Sequence, residues 1–395
     1  MPTKKKFALP LAYWKILGAV AIWTVTVFFT SILSDLIFPD SPNRFTGVGL
    51  FKGTKQMVST LVRWDAVHYF AIAYHGYIKI VPGLKAFFPL YSLIIRAGAW
   101  FTKGFLKDAL DAYLITAILV NLLSLVGALW IIQRIAEREY GEKIKTGFPP
   151  PLLMLGSPWA FFYLSPYPEA LTLFLSVAAF CAAMEKKWLL AGLLAGIASG
   201  CRLQGAFLFP ALVVEYACQK EWNWKKIRWD AVWLLLCPTG FIAYMRYLGG
   251  VGVFLGAQEK WPMRKVGISI FLAFTNYFDR AWRGLTERGT AIALDERISY
   301  HFAFIVLVIS VLLTGCFWKK LRPSFRVYLI LSFLIPILSS SLMAIQRYAL
   351  LLFPLSFAGA HFFEERPTLF WVSALVCGIW SCFFIALFTN GFFVS

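Results

Sequence analysis

A carboxylate, two imidazoles and an arginine stand among aromatic side chains in Arg63-Trp64-Asp65-Ala66-Val67-His68-Tyr69-Phe70 and Tyr74-His75-Gly76-Tyr77, and the stretch continues to Phe87-Phe88-Pro89-Leu90-Tyr91. Asp65 as a carboxylate can take the proton of an attacking hydroxyl, and an arginine fork can face a phosphate with two hydrogen bonds. Polar groups of this kind beside apolar spans are costly unless they are used. A bland alternative stands beside this reading: Asp65 is a structural ion pair with Arg63 or with an arginine from another turn. His68 and His75 with Asp65 also invite a metal, since imidazole and carboxylate are usual ligands. No second carboxylate lies near them and the spacing is no established zinc pattern, so neither a metal nor another cofactor is assigned. His68 is read as orienting Asp65 or bonding the substrate.

Three later turns carry the same kinds of group: Ser165-Pro166-Tyr167-Pro168-Glu169, Cys201-Arg202-Leu203-Gln204-Gly205 and Gln346-Arg347-Tyr348. An acid, two arginines and two amides that converge on Asp65 would hold an anionic, hydroxyl-rich molecule. Glu169 either positions an acceptor hydroxyl or caps the helix that follows it. Phe161-Phe162-Tyr163 reads as interface belt rather than sugar platform.

The elements that must position these groups are membrane helices. The 395 residues are 59% hydrophobic, 18% aromatic and only 15% charged, against about 25% charged in soluble domains, and the mean hydropathy is +0.69. Apolar runs near twenty residues recur, and the alternating strands of a membrane barrel do not. The fold class is an all-α polytopic membrane protein. Seven cysteines (Cys181, Cys201, Cys218, Cys237, Cys316, Cys377, Cys382) form no C-x-x-C pair and read as small buried hydrophobes. The net charge of +18 is scattered between spans, which favours membrane lipid head groups over nucleic acid.

In chain order, Lys4-Lys5-Lys6 precedes an apolar run over about 13–33, too long for a signal sequence and without a small-residue cleavage site, hence an uncleaved span with a cytoplasmic N-terminus. Residues 35–108 form a first external loop with interfacial helices, where Asp65 and His68, three apart, share a helix face. Residues 87–101 read as interfacial or re-entrant, so that 109–133 returns to the cytoplasm. Further spans are expected over about 148–164, 169–184, 188–200, 203–217, 230–248, 300–317, 327–344, 348–363 and 368–390, about eleven in all within one integral membrane domain, 1–395. The short basic loops at Lys186-Lys187, 220–228 and 319–326 are placed inside by the positive-inside rule. A second external loop, 249–299, carries Lys260, Arg264, Lys265, Arg280, Arg283, Arg288 and Arg297, either a solvated segment near anionic lipid or a basic rim for phosphate-bearing lipid.

Arg63-Trp64-Asp65-Ala66-Val67-His68 with Ala73-Tyr74-His75-Gly76-Tyr77 and Phe87-Phe88-Pro89-Leu90-Tyr91 resembles the signature of the PIG-V family, also called GPI mannosyltransferase II. The turns with Glu169, with Arg202 to Gly205, and with Gln346-Arg347-Tyr348 before Phe353-Pro354-Leu355 follow in the family's order. The chain resembles a compact, prokaryotic member. The resemblance implies a GT-C glycosyltransferase fold with a catalytic acid in the loop after the first helix, a position that Asp65 matches. It also implies mannose as the sugar and a polyprenyl phosphate as its carrier. The expected reaction is mannosyl transfer to a glycolipid or cell-surface hydroxyl acceptor on the external or luminal face, in the plasma membrane of a prokaryote or the endoplasmic reticulum of a eukaryote. Asp65 is the expected base of a metal-independent inverting displacement. Arg63, His68, Glu169, Arg202, Gln204, Gln346 and Arg347 are expected at the substrate, and Trp64, Tyr91 and Tyr348 as its stacking faces. A transporter or flippase of lipid-linked sugars is the competing function, although no internal repeat of the kind carriers show is found.

Overall fold

A computed structural model describes residues 11–38, 60–77, 82–105, 109–141, 149–261, 275, 278, 294–338, 342 and 344–394. The described regular elements are all helical. Lys4-Lys5-Lys6 and, in the second external loop, Arg264, Lys265, Arg280, Arg283 and Arg288 lie outside the described residues.

In chain order the α-helices are α1 (Leu11–Ile37), α2 (Asp65–His75), α3 (Pro89–Thr102), α4 (Ala109–Tyr140), α5 (Pro150–Leu155), α6 (Glu169–Met184), α7 (Trp188–Ser199), α8 (Leu203–Ala206), α9 (Leu208–Gln219), α10 (Thr239–Leu248), α11 (Val251–Gln258), α12 (Leu294–Cys316), α13 (Pro323–Leu338), α14 (Ile345–Ala349), α15 (Pro354–Phe363) and α16 (Pro367–Thr389). Among the described residues four stretches are long and apolar enough to cross a bilayer: Tyr13–Ile37, Leu110–Tyr140, Ile298–Cys316 and Pro367–Thr389. A fifth arises if the 3-10 helix Trp229–Leu236 and α10, bent by 41°, count as one span. This is an all-α membrane protein.

Several of the other expected spans are interrupted. The stretch 148–164 breaks into α5 and a 3-10 turn, Ala160–Tyr163, because Gly156 and Pro158 stand between them. Pro238 stands at the bend before α10, and Pro354 opens α15 after a break from α14. Proline lacks the N–H that would continue a helix, and such breaks are tolerated at membrane depth where protein surrounds them.

α6 is the hub. Its sequence is apolar nearly all round, as a helix enclosed by others must be, and most of its side chains are buried. Next to it, α7 carries glycines at 192 and 196, with Gly200 just after its end, and these admit the backbone of 229–240 at close range. A Cβ at Gly196 would sit 2.5 Å from the Leu236 carbonyl, and one at Gly192 or Gly240 would strike backbone outright. In hydrocarbon, where lipid is as apolar as leucine, such contact and polar bonds hold helices together. The C-terminal ends of α1 and α16 are joined in the second way: Ser31 Oγ lies 3.0 Å from Thr389 Oγ1, and Asn390 Nδ2 donates to Ser34 Oγ at 2.7 Å.

The bundle has two polar ends. At one, Arg322 donates to Glu139 Oε2 and Glu215 Oε1, both at 2.6 Å, while Ser324 Oγ and Gln219 Nε2 also bond Glu215. These bonds clamp α4, α9 and the entry to α13, and Arg134 pairs with Glu185 at the same end. No sequence motif announces the clamp. The other end gathers α2, α3, the starts of α6 and α12, and the ends of α1, α7 and α16. α3 has 14 residues, short of the roughly twenty that a straight crossing needs, and Ser92 on it donates to the Tyr69 carbonyl of α2 at 2.8 Å.

Candidate active site

Asp65 and Glu169 are each the first residue of a helix, α2 and α6, where the exposed N–H groups and the helix dipole favour a carboxylate. Arg202 stands in extended backbone before α8, and Arg347 lies in the single turn α14. The tertiary fold brings the four together. Arg347 Nη1 donates to Asp65 Oδ2 at 2.7 Å, and its Nε donates to Glu169 Oε1 at 3.0 Å. Arg202 Nη1 pairs with the same Glu169 oxygen, and its Nε donates to Gln204 Oε1 at 3.3 Å. Glu169 therefore joins both arginines, with no exposure of its side chain, whereas the Asp65 side chain is 29% exposed. Asp65 is the open edge of a cluster whose two acids balance two arginines.

Aromatic faces complete the arginines' surroundings. The Arg347 guanidinium lies 4.6 Å from the Tyr167 ring centroid and 5.3 Å from that of Phe162, and Arg202 lies 5.3 Å from that of Tyr348. These contacts offset part of the loss of water around a buried cation. Tyr167 also donates to the Arg63 carbonyl at 2.9 Å. It sits two residues before Glu169 in the turn already singled out, so its position, though not its role, was legible. Glu169 Oε2 and Gln204 Nε2 are buried with no partner among the described residues.

The backbone beside the cluster is strained at two points. Trp64, immediately before Asp65, has φ 54° and ψ −122°, and the Ala66 N–H bonds the Arg63 carbonyl at 3.1 Å. This is a type II′ turn with tryptophan where glycine is preferred. Ala344, before α14, has φ 68°. Each such residue costs about 1–3 kcal/mol and persists only where its surroundings over-determine it.

The other residues expected at the substrate make contacts of their own within the protein. Arg63 donates Nε to the Thr389 carbonyl at 2.9 Å and Nη1 to the Val62 carbonyl, so those donors fasten the turn to the end of α16 and are not offered to a phosphate. Gln346 is buried and donates to the Ser299 carbonyl at 2.7 Å. Of the expected stacking faces, Tyr91 is fully buried with its ring against Tyr69, Trp64 meets Phe393 edge to face, and Tyr348 lies under Arg202. Each ring is engaged because it fills protein that the linear motif could not display.

His68 sits one turn from Asp65 with its ring 5.0 Å from Phe87 and 4.7 Å from Trp261, between centroids. Burial lowers its pKa below the ordinary value, against a smaller opposing pull from Asp65. Trp261, within the stretch 249–299, was not foreseen as a neighbour of the motif. Tyr74 and His75 pack on each other at the end of α2, and both side chains are exposed. Among the described residues no three His, Cys, Asp or Glu side chains come together to hold a metal ion.

No curated protein and no solved structure matches the chain. Residues 51–206, which include Asp65, His68, Glu169 and Arg202 but end before Arg347, match the family model described as Mannosyltransferase (PIG-V). The matched segment, which supplies three of the four charged members of the cluster, is similar to the PIG-V mannosyltransferase family.

Proposed function

We propose that the chain transfers a mannosyl residue from a polyprenyl phosphate to a hydroxyl of a glycolipid or cell-surface acceptor, with Asp65 as general base, in a GT-C type fold. The observation that carries this reading is the partly open Asp65 carboxylate fixed by Arg347 in front of a buried Glu169–Arg202 pair. The acceptor oxygen attacks the anomeric carbon as the bond from that carbon to the phosphate oxygen breaks. The acceptor's proton passes to Asp65, and the electron pair of the broken bond stays on the polyprenyl phosphate. A phosphate leaves without an acid to protonate it, so one carboxylate suffices, and a single displacement inverts the anomeric carbon.

Arg202 and Arg347 each give Nε and Nη1 to Glu169, Asp65 or Gln204. Their Nη2 groups have no described protein acceptor and are the donors suited to the phosphate. Because Glu169 is held between the two, the guanidiniums are set before substrate arrives, which is how preorganised charge lowers a barrier. No metal ion is needed in this scheme. The loops at Lys186-Lys187, 220–228 and 319–326 stand at the opposite end of the bundle, which by the positive-inside rule supports an external or luminal site.

The test is to supply purified protein in detergent with radiolabelled polyprenyl phosphate mannose and extracted lipids. An enzyme of this kind releases polyprenyl phosphate and forms a mannosylated product of inverted anomeric configuration. Intact donor after long incubation, with transport across vesicles instead, would establish the carrier reading in its place.

A further inference from the structure

Both partners of the Asp65–Arg347 pair are suspended from the same short segment, the end of α16 and the residues after it. On the acid's side, Arg63 Nε donates to the Thr389 carbonyl at 2.9 Å, Trp64 Nε1 donates to the Phe392 carbonyl at 3.0 Å, and the Trp64 ring meets Phe393 at 5.2 Å between centroids. On the arginine's side, Gln346 Nε2 donates to the Ser299 carbonyl at 2.7 Å, and Ser299 Oγ donates to the Phe393 carbonyl at 3.1 Å. A closed ring results: Asp65, Trp64, Phe392, Phe393, Ser299, Gln346, Arg347 and back to Asp65. The two strained residues, Trp64 and Ala344, stand on its two arms, and the segment is well anchored, since Asn390 is 1% and Val394 2% exposed.

We propose that residues 389–394 are a positioning strut, which holds Trp64 in its left-handed conformation and Gln346 in register so that Asp65 and Arg347 face each other at hydrogen-bonding distance. Ser299, Gln346, Trp64 and Phe393 are positioning residues in this scheme and touch no substrate. The physical need is plain: left-handed backbone at tryptophan relaxes unless outside bonds oppose it, and its relaxation would swing Asp65, the next residue, out of line. Glycine adopts this backbone without penalty. The strain that the strut opposes would then vanish.

The inference rests on the proposed reaction for its kinetic arm, and a second readout keeps the two separable. In the kinetic arm, Phe393→Ala and Ser299→Ala should each lower kcat about tenfold with donor KM nearly unchanged, as misplacement of a reacting group by a fraction of an ångström does. Trp64→Gly should retain more activity than Trp64→Ala despite its smaller side chain, and Phe393→Ala should cost clearly less in the Trp64→Gly background than in the native one. In the second arm, hydrogen exchange by mass spectrometry should show faster exchange in Phe393→Ala both at 63–70 and at 344–349, regions more than 270 positions apart in the chain, with other helices unchanged. Unchanged exchange at either region, or, in a protein that does transfer mannose, Trp64→Gly no better than Trp64→Ala, overturns the strut. Faster exchange at both regions in a protein that transfers no mannose keeps the strut and overturns the proposed reaction.

Discussion

Arg347 Nη1 lies 2.7 Å from Asp65 Oδ2, a bond between residues 282 positions apart. It places the arginine of the third later turn directly on the acid of the motif at 63–70. The ion-pair alternative for Asp65 and the base reading meet in this one contact. The pair is structural in that it fixes the carboxylate, and the partial exposure of Asp65 leaves a path for an acceptor hydroxyl.

Asp65→Asn preserves shape and removes the proton acceptor. Transfer measured with labelled donor should fall at least about 100-fold, the scale of general-base catalysis, while the thermal midpoint in detergent stays within a few degrees. Near-native turnover by this folded variant would end the base assignment.

Glu169→Ala leaves two buried guanidiniums without their shared anion. Breaking a buried ion pair from one side costs about 3–5 kcal/mol, so the variant should unfold at markedly lower temperature. Arg347→Lys retains the charge and loses the fork that reaches Asp65 and Glu169 at once. Its activity should fall much more than its stability, and equal losses of both would count against a role at the reacting centre.

His68 offers a pH test. Burial depresses its pKa below 6.5, so the folded state prefers the neutral ring. As pH falls below 6.5 the unfolded chain takes the proton first. The stabilising contribution is thus whole above 6.5, and it declines as pH drops toward the depressed folded value. Thermal unfolding followed from about pH 8 to about pH 5 should show this decline, and His68→Gln, neutral throughout, should flatten it.

Gly196→Leu tests how the helices meet. A side chain there strikes the Leu236 carbonyl and Thr239, and overpacking of this kind typically costs about 1–3 kcal/mol. The variant should lose thermal stability, and mannosyl transfer by the folded fraction should be retained. A midpoint equal to the native protein's would show that the stretch 229–240 yields easily.

The class of the molecule, its long first and last spans and the stretch around Asp65 were legible without coordinates, because each is written in contiguous residues. Length and apolar content decide whether a helix can cross a bilayer, and motif spacing on one helix turn decides which side chains share a face. Interruptions were harder to read. Hydropathy over 148–164 resembles a span, yet Gly156 and Pro158 break the helix within it, since a window average does not register a missing N–H.

At the site, Asp65, Glu169, Arg202 and Arg347 could be chosen by residue type, but their order of contact could not. That Glu169 holds both arginines, that Gln346 turns to Ser299 while its neighbour Arg347 turns to Asp65, and that Arg63 fastens the end of α16 are decided by tertiary packing. Composition and periodicity are local and act within a helix turn, so the chain alone settles what each segment is. Which buried charges meet depends on how closely helices approach and on which donors remain once backbone carbonyls are satisfied, and that is determined only when all the segments are in place.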